Sequence, residues 1–331
     1  MSPSKTSSSP GPKVLFISPN RIGDSVIASG IVREIGRRWP GARITQVTGG
    51  PTEPFYRSAP GVERIIAMEK TKWAGHWFKL WGGLIGSKWD VVIDTRASIT
   101  GWLVRAGEHH IYSRKMETGL SKVEIASALV GSKTPLAPEL FIDDRARAEA
   151  ASILEPQLSG GAGPGRIMAL APIANQPGKS WPADRWGLLV ERLMAEPRFD
   201  GWRFMMVGGP GDHEPAAPAL AAAGDRGIDF VGRGDILCSA AAITRAALFA
   251  GNDSGLMHTA AAAGIPTLGL FGPTEWWLYA PWGPKTRTVA SNEVRGEYAP
   301  IENLSVDHVF DAVIALHDDF IGTPASPASV P

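Results

Sequence analysis

KVLFISPNRIGDS, at residues 13–25, is the stretch of sequence that decides the fold class. Its opening residues, Val14 to Ile17, form a short continuous apolar run, which is typical of a strand buried on both faces. A polar loop follows, and the apolar spacing beyond it predicts one amphipathic helix that buries Ile27, Ile31, Ile35 and Trp39. The stretch therefore predicts a β-loop-α unit.

The same alternation continues through the rest of the chain. Further buried strands are predicted at residues 43–47, 64–68 and 90–93, and then at residues 167–170, 203–207, 228–231, 247–250 and 267–271. Helices are predicted to start at Ala183, His213, Ile236 and Ser254. This pattern indicates an α/β fold with two doubly wound parallel sheets that are covered by helices.

The length of 331 residues suits two domains, and the Gly-rich stretch at residues 158–166, LSGGAGPGR, is the predicted linker. Open parallel sheets bind ligands at the carboxyl ends of their strands, so a site is expected in the cleft between the domains. The predicted units are a tail at 1–12, Rossmann-like domains at 13–160 and 166–305, a helix at 306–320 and a tail at 321–331, with both tails disordered.

Composition excludes several classes of protein. Basic and acidic residues number 33 each, so no overall positive charge draws the chain to nucleic acid. Cys238 is the single cysteine, which argues against a disulfide framework or a cysteine-built metal site and favours the cytoplasm. The tail at 1–12 lacks the apolar segment of a signal peptide, and no apolar run is long enough to span a bilayer. Any membrane contact is therefore expected to be peripheral.

Asp24 lies in the first strand-end loop, at the start of the first helix. One interpretation is structural, because an aspartate at this position caps a helix and suits the positive end of its dipole. The other is catalytic, because a carboxylate at the edge of a cleft can accept a proton from an attacking hydroxyl. The position alone does not separate the two.

The most informative segment is NDSGLMHTAAAAG, at residues 252–264. A helix starting at Ser254 would offer unpaired backbone N–H groups to a diphosphate, and Gly255 would allow a close approach. A buried, capped Ala-rich helix is the structural alternative, but it does not explain why His258 points back toward the same loop. We therefore favour a phosphate site.

Two other loops carry candidate ligands. Lys179 lies on the turn-rich loop at 170–182, where it is either solvated or neutralises the phosphate charge of a departing nucleotide. The loop GGPGDHE, at 208–214, carries Asp212 and Glu214, whose carboxylates suit a ribose diol. This loop does not match G-x-G-x-x-G, so a dinucleotide-binding fingerprint is not supported.

With these loops in order, the sequence resembles glycosyltransferase family 9, the bacterial ADP-heptose:lipopolysaccharide heptosyltransferases, over residues 13–320. The resemblance implies a GT-B fold, in which two Rossmann-like domains face each other across a cleft. The acceptor would bind the N-terminal domain and the nucleotide sugar the C-terminal domain. The motifs that carry the resemblance are Arg21-Ile-Gly-Asp24, Lys179-Ser-Trp-Pro182, Gly208-Gly-Pro210, Asp253-Ser-Gly-Leu-Met-His258 and Phe271-Gly-Pro-Thr274.

The resemblance also implies roles for individual residues. Asp24 matches the catalytic base and Lys179 the phosphate-contacting lysine, while the amides of Ser254 and Gly255 would meet the diphosphate. Asp253 and His258 would shape that loop. Glu214 matches a ribose-binding glutamate, although Asp212 is close enough to leave that assignment open. The other cleft residues expected are Arg21, Gly23, Asn175 and Thr274.

The implied reaction is the inverting transfer of a heptose from ADP-heptose to a hydroxyl of a lipopolysaccharide core or related glycan. No cofactor and no metal are expected, since the sequence has no Asp-x-Asp pair to hold one against a diphosphate. The expected partners are a nucleotide-sugar donor and a lipid-linked acceptor, with peripheral contact at the inner membrane left open. The alternatives are a non-catalytic nucleotide-sugar binding protein and a nucleotide-sugar epimerase.

The acceptor-side segment at residues 70–89 is unusually rich in tryptophan. Trp73, Trp77 and Trp81 would share one helical face, which is typical of a buried stripe. The alternative is an interfacial patch whose cations meet anionic lipid, namely Lys70, Lys72 and Lys79. The sequence does not decide between them.

Overall fold

In the computed structural model the chain forms two α/β lobes, each built on one parallel sheet. Within the described part of the chain, no helix combines the length and apolarity needed to cross a bilayer. The predicted tails and linker lie mostly outside that part. The structure describes residues 11–68, 75–117, 119–158, 166–174, 176, 178–292 and 299–322.

The N-terminal lobe is built on five parallel strands. They are β1 (Lys13–Ile17), β2 (Arg43–Gly49), β3 (Val62–Met68), β4 (Trp89–Asp94) and β5 (Ala106–Ile111). The helices of this part of the chain are α1 (Ile22–Ile27), α2 (Gly30–Arg38), α3 (Glu53–Tyr56), α4 (Gly75–Leu84), α5 (Ile99–Leu103) and α6 (Lys122–Leu129). The strand order β3-β2-β1-β4-β5 places the topological switch point between β1 and β4.

The C-terminal lobe is built on six parallel strands. They are β6 (Ile167–Ala171), β7 (Arg203–Gly208), β8 (Gly227–Val231), β9 (Leu248–Asn252), β10 (Thr267–Phe271) and β11 (Thr286–Ala290). The helices are α7 (Asp144–Leu158), α8 (Ala183–Ala195), α9 (His213–Ala223), α10 (Ile236–Ile243), α11 (Gly255–Ala262), α12 (Trp276–Tyr279) and α13 (Val306–Phe320). The order β11-β10-β9-β6-β7-β8 places this switch point between β6 and β9.

The predicted α/β class is confirmed, and each strand predicted from an apolar run is present within two residues of its predicted limits. The sequence does not reveal β5 and β11. Both are edge strands with exposed side chains, so neither AGEHHI nor TRTVA contains a continuous apolar run.

The prediction of one helix from Ile27 to Trp39 is wrong. The chain ends α1 at Ile27 and begins α2 at Gly30. The hydroxyl of Ser29 donates to the Val26 carbonyl at 2.6 Å and accepts from the Glu139 N–H at 2.6 Å. The break therefore ties the first helices to the segment that follows α6.

The packing boundary between the lobes lies before residue 160. Ala150 and Leu154 of α7 are buried in a core that also contains Ile167 and Phe230 of the C-terminal sheet. Arg57 of the N-terminal lobe donates to Asp143, just before α7, and to Asp235, each at 2.6 Å. The Gly-rich stretch marks a loss of periodicity, but it does not show which lobe the preceding helix joins.

The Trp-rich segment is described only in part. Trp73, Lys70 and Lys72 lie outside the described residues, as do the side chains of Trp77 and Lys79. In the described remainder of α4, Leu80 and Leu84 are buried in the core beneath β1 and β2, and Trp81 is half-buried.

Candidate active site

Asp24 is the third residue of α1, at the carboxyl end of β1. The N-cap of this helix is Arg21, so Asp24 is not the cap, but it does lie in the first turn, where its charge suits the positive end of the helix dipole. No hydrogen bond to the Asp24 carboxylate occurs within the described residues.

Asp24 lines a cavity of about 810 Å³ at the N-terminal switch point. Residues from the loops that follow β1 and β4, such as Asn20 and Thr95, form part of its wall. The charged side chains of the wall are Asp24 and three cations, which are Arg21, Arg96 and Lys122. The cavity thus offers one carboxylate in a positively charged surrounding.

Burial raises the pKa of the Asp24 carboxyl above its ordinary value. Arg21 and Lys122 act in the opposite direction, while Asp253 of the other lobe adds to the increase. A desolvated carboxylate without hydrogen-bond donors holds a proton more readily than one in water. These conditions suit a general base.

At the C-terminal switch point, Lys179 and Asp253 form an ion pair. Lys179 Nζ lies 2.7 Å from Asp253 Oδ2. The Lys179 loop is held by the fully buried Asn252, whose Oδ1 accepts the Trp181 N–H at 3.0 Å and whose amide donates to the Pro172 carbonyl at 2.6 Å. Lys179 is therefore fixed beside the start of α11, and the prediction of a merely solvated lysine is wrong.

The N-terminus of α11 lacks a side-chain cap. Ser254 is its N-cap residue, yet the hydroxyl makes no capping hydrogen bond. Within the described residues, Ser254 Oγ is buried without a hydrogen-bond partner, and so is Thr274 Oγ1. The uncapped N–H groups and the orphaned Ser254 hydroxyl leave hydrogen-bonding capacity for an anion at this helix end.

The two lobes meet where α1 contacts the start of α11. A Cβ atom at Gly255 would lie 2.7 Å from Ile22 Cγ2, and one at Gly23 would lie 3.1 Å from His258 Cδ2. Glycine at residue 255 is therefore required by the contact with α1, which the sequence-based explanation of a close phosphate did not foresee. Burial lowers the pKa of His258 to about 4, so its imidazole is neutral and packs against α1.

Tyr279 and Lys122 were not predicted as site residues. Tyr279 of α12 contributes to the cavity wall from the C-terminal lobe. Its ring centroid lies 5.6 Å from Lys122 Nζ and 5.8 Å from Lys179 Nζ, one ammonium from each lobe. Burial raises the pKa of Tyr279, with Asp24 and Asp253 adding to the increase, so the phenol remains protonated.

Sequence signals for these two residues differ. The capping box Ser121-Lys-Val-Glu124 is readable in the sequence and is present at the start of α6, which positions Lys122. Tyr279 ends the stretch EWWLY, which reads as ordinary core.

The structure distinguishes the two ribose candidates. Asp212 Oδ2 accepts the Gly209 N–H at 2.6 Å and so closes its own loop. Glu214 is exposed on the first turn of α9. One oxygen of Asp212 is therefore engaged within its own loop, whereas no hydrogen bond to the Glu214 carboxylate occurs within the described residues. Asn175, the remaining predicted cleft residue, lies outside the described residues.

No group of three or more His, Cys, Asp and Glu side chains in the described ranges is placed to hold a metal ion.

A family model for glycosyltransferase family 9 (heptosyltransferase) matches residues 120–300. The chain is 25% identical to lipopolysaccharide heptosyltransferase 2 of Salmonella typhimurium over 308 residues, which cover 84% of this chain and 87% of that protein.

Solved structures share the two-lobed architecture. A family 9 glycosyl transferase from Veillonella parvula superposes with a TM-score of 0.78 at 19% identity, covering 92% of this chain and 97% of its own. ADP-heptose lps heptosyltransferase II from E. coli superposes with a TM-score of 0.73 at 21% identity, covering 92% and 98%. These likenesses confirm the predicted GT-B fold.

Proposed function

Because the chain belongs to glycosyltransferase family 9, the heptosyltransferase family, we propose that it moves a heptose from ADP-heptose to a hydroxyl of a lipopolysaccharide core or related glycan. Donor and acceptor are proposed from the names of its relatives. One observation carries the proposal: the lobe contact brings the unpartnered Asp24 carboxylate close to the uncapped helix end at Ser254.

The proposed reaction is a single displacement with inversion at the anomeric carbon. The acceptor oxygen attacks that carbon while Asp24 takes the hydroxyl proton. The bond from the anomeric carbon to the phosphate oxygen breaks, and ADP leaves with the electron pair. The raised pKa of Asp24 supports its role as the base.

ADP would leave toward Lys179 and the start of α11. A diphosphate competes with Asp253 for the Lys179 ammonium, and the first-turn N–H groups add partial positive charge. We therefore propose transfer without a metal ion or other cofactor. Full activity in excess chelator is expected, whereas a strict need for added magnesium would contradict this part of the proposal.

The proposed location is the cytoplasm, with peripheral contact at the inner membrane. The single cysteine supports the cytoplasm, and the name of the relatives, which refers to lipopolysaccharide, supports the membrane contact.

The deciding experiment mixes purified protein, ADP-heptose and a lipopolysaccharide core oligosaccharide. ADP should accumulate only when donor and acceptor are both present, and mass spectrometry should show one added heptose. Conversion of the donor in the absence of acceptor would instead identify an epimerase. Donor binding without any ADP release would identify a binding protein.

A further inference from the structure

Helix α5 turns its large apolar side chains toward solvent. Ile99, Trp102 and Leu103 are 76%, 67% and 56% exposed, whereas Thr100 and Gly101 between them are buried. Positions i, i+3 and i+4 share one helix face, so the three side chains form one outward apolar stripe. Surface helices of globular proteins normally have the opposite orientation.

Hydrogen bonds hold α5 in this orientation. The fully buried Asp94 accepts from the Arg96 N–H at 2.7 Å and the Ser98 N–H at 2.8 Å. Ser98 Oγ then caps α5 by accepting from the Gly101 N–H at 3.2 Å. A side chain at residue 101 would collide with the Asp94 carboxylate. The small Gly101 is therefore the residue that faces the sheet, and Trp102 faces outward.

The chain segment that carries α5 is basic, although the chain as a whole is neutral. Residues 95–105, TRASITGWLVR, contain two arginines and no acidic residue. Lys88 and Arg105 are exposed immediately before the paired strands β4 and β5. Neither forms an ion pair with any described residue.

The apolar stripe lies close to the cavity. Arg96 lines the cavity and precedes Ile99 by three residues in the loop that leaves β4. Helix α4 contacts α5, and Ile85, which follows α4, is also exposed at 44%. We call Ile85, Lys88, Ile99, Trp102, Leu103 and Arg105 the α5 surface.

We propose that the α5 surface docks the protein on an anionic lipid bilayer. This inference rests on the proposed function, because a lipid-linked acceptor is held in such a bilayer. Tryptophan and aliphatic side chains insert at the boundary between headgroups and acyl chains, while lysine and arginine meet lipid phosphates. A protein docked there has Arg96, one of the residues that line the cavity, close to the headgroups.

The test is co-sedimentation with vesicles of phosphatidylethanolamine containing roughly one quarter phosphatidylglycerol. The double variant Trp102→Ser/Leu103→Ser should lower vesicle binding about tenfold or more, because it removes most of the inserting apolar area. The matched control is Leu188→Ser, which removes a side chain that is 48% exposed on α8 of the other lobe. This control should bind as the wild type does.

A second arm tests the charge. Lys88→Gln/Arg105→Gln should weaken binding several-fold on the anionic vesicles and change it little on vesicles of phosphatidylcholine alone. Wild-type protein that binds neither vesicle, or a Trp102→Ser/Leu103→Ser variant that binds like the wild type, would overturn the proposal. The proposal would also be overturned if the wild type formed a dimer that this variant abolished while vesicle binding stayed unchanged.

Transfer to an acyl-free core oligosaccharide separates this inference from the proposed function. The Trp102→Ser/Leu103→Ser variant should transfer heptose to this soluble acceptor at the wild-type rate, because the α5 surface lies outside the reacting groups. If the wild type itself fails to transfer, the proposed function fails, and the vesicle result still decides the α5 surface.

Discussion

Two aspartates, one in each lobe, lie beside the strands that form the switch points, and they differ in their partners. Asp24 has no hydrogen bond among the described residues, and burial raises its pKa. Asp253 pairs with Lys179 at 2.7 Å. The same sheet architecture therefore contains one carboxylate without an ion-pair partner among the described residues and one carboxylate that is paired with a cation. What differs is whether another loop brings a cation within ion-pair distance.

The largest effect is expected when the free carboxylate is removed. Asp24→Asn should lower kcat about 100- to 10,000-fold, which is the usual contribution of a general base. Donor affinity should stay the same, because the amide has nearly the shape of the carboxylate. Single-turnover rates and calorimetric titration with ADP-heptose measure the two quantities separately.

A near-normal kcat for Asp24→Asn would show that Asp24 is not the catalytic base. The two aspartates would then not differ in catalytic role. If donor affinity fell together with kcat, Asp24 would instead be needed for donor binding.

Breaking the ion pair should have the next largest effect. Lys179→Ala should slow transfer roughly 100-fold and weaken ADP binding, because it removes a cation and leaves the Asp253 charge near the diphosphate. Lys179→Ala/Asp253→Asn should recover part of the ADP affinity by removing that repulsion. Calorimetric titration with ADP would exclude Lys179 from the site if the affinity of the single variant equalled that of the wild type.

The sequence predicts those parts of the site that follow from strand-end loops. Lys179 and Asp253 lie in loops that follow buried strands, and Asp24 lies in the first turn of the helix that follows one. Apolar runs locate such strands without further information. The uncapped end at Ser254 follows the same rule. Local pattern was sufficient because each of these positions depends on one strand and one loop.

The parts that depend on lobe packing could not be predicted. Tyr279 and Lys122 belong to helices of different lobes, α12 and α6, so they approach each other only when the lobes pack together. The contact of Gly255 with Ile22 and the packing of α7 on the C-terminal lobe have the same origin. These contacts join residues that are far apart in the sequence, and no short motif encodes them.

Asp212 and Glu214, at the start of α9, allow a second comparison between a carboxylate with a hydrogen-bond partner and one without. Glu214→Ala should weaken ADP binding about tenfold and leave the melting temperature unchanged, because Glu214 is exposed and lacks a structural role. Asp212→Ala should lower the melting temperature by roughly 2–4 °C, since it removes the bond to the Gly209 N–H. The opposite pattern in calorimetry would assign the ribose to Asp212.

The smallest effect is expected in the pH dependence of transfer. Lys122 lowers the pKa of Asp24 against the effect of burial, so Lys122→Met should raise that pKa further. The reaction needs the Asp24 carboxylate, and its rate is lost as the pH falls through this pKa. The acid limb of the kcat/KM profile should therefore move to higher pH in Lys122→Met and stay in place in Lys122→Arg, which keeps the charge. An acid limb that does not move in the methionine variant would show that a group other than Asp24 controls it. The contrast between Asp24 and the ion-paired Asp253 would then have no bearing on catalysis.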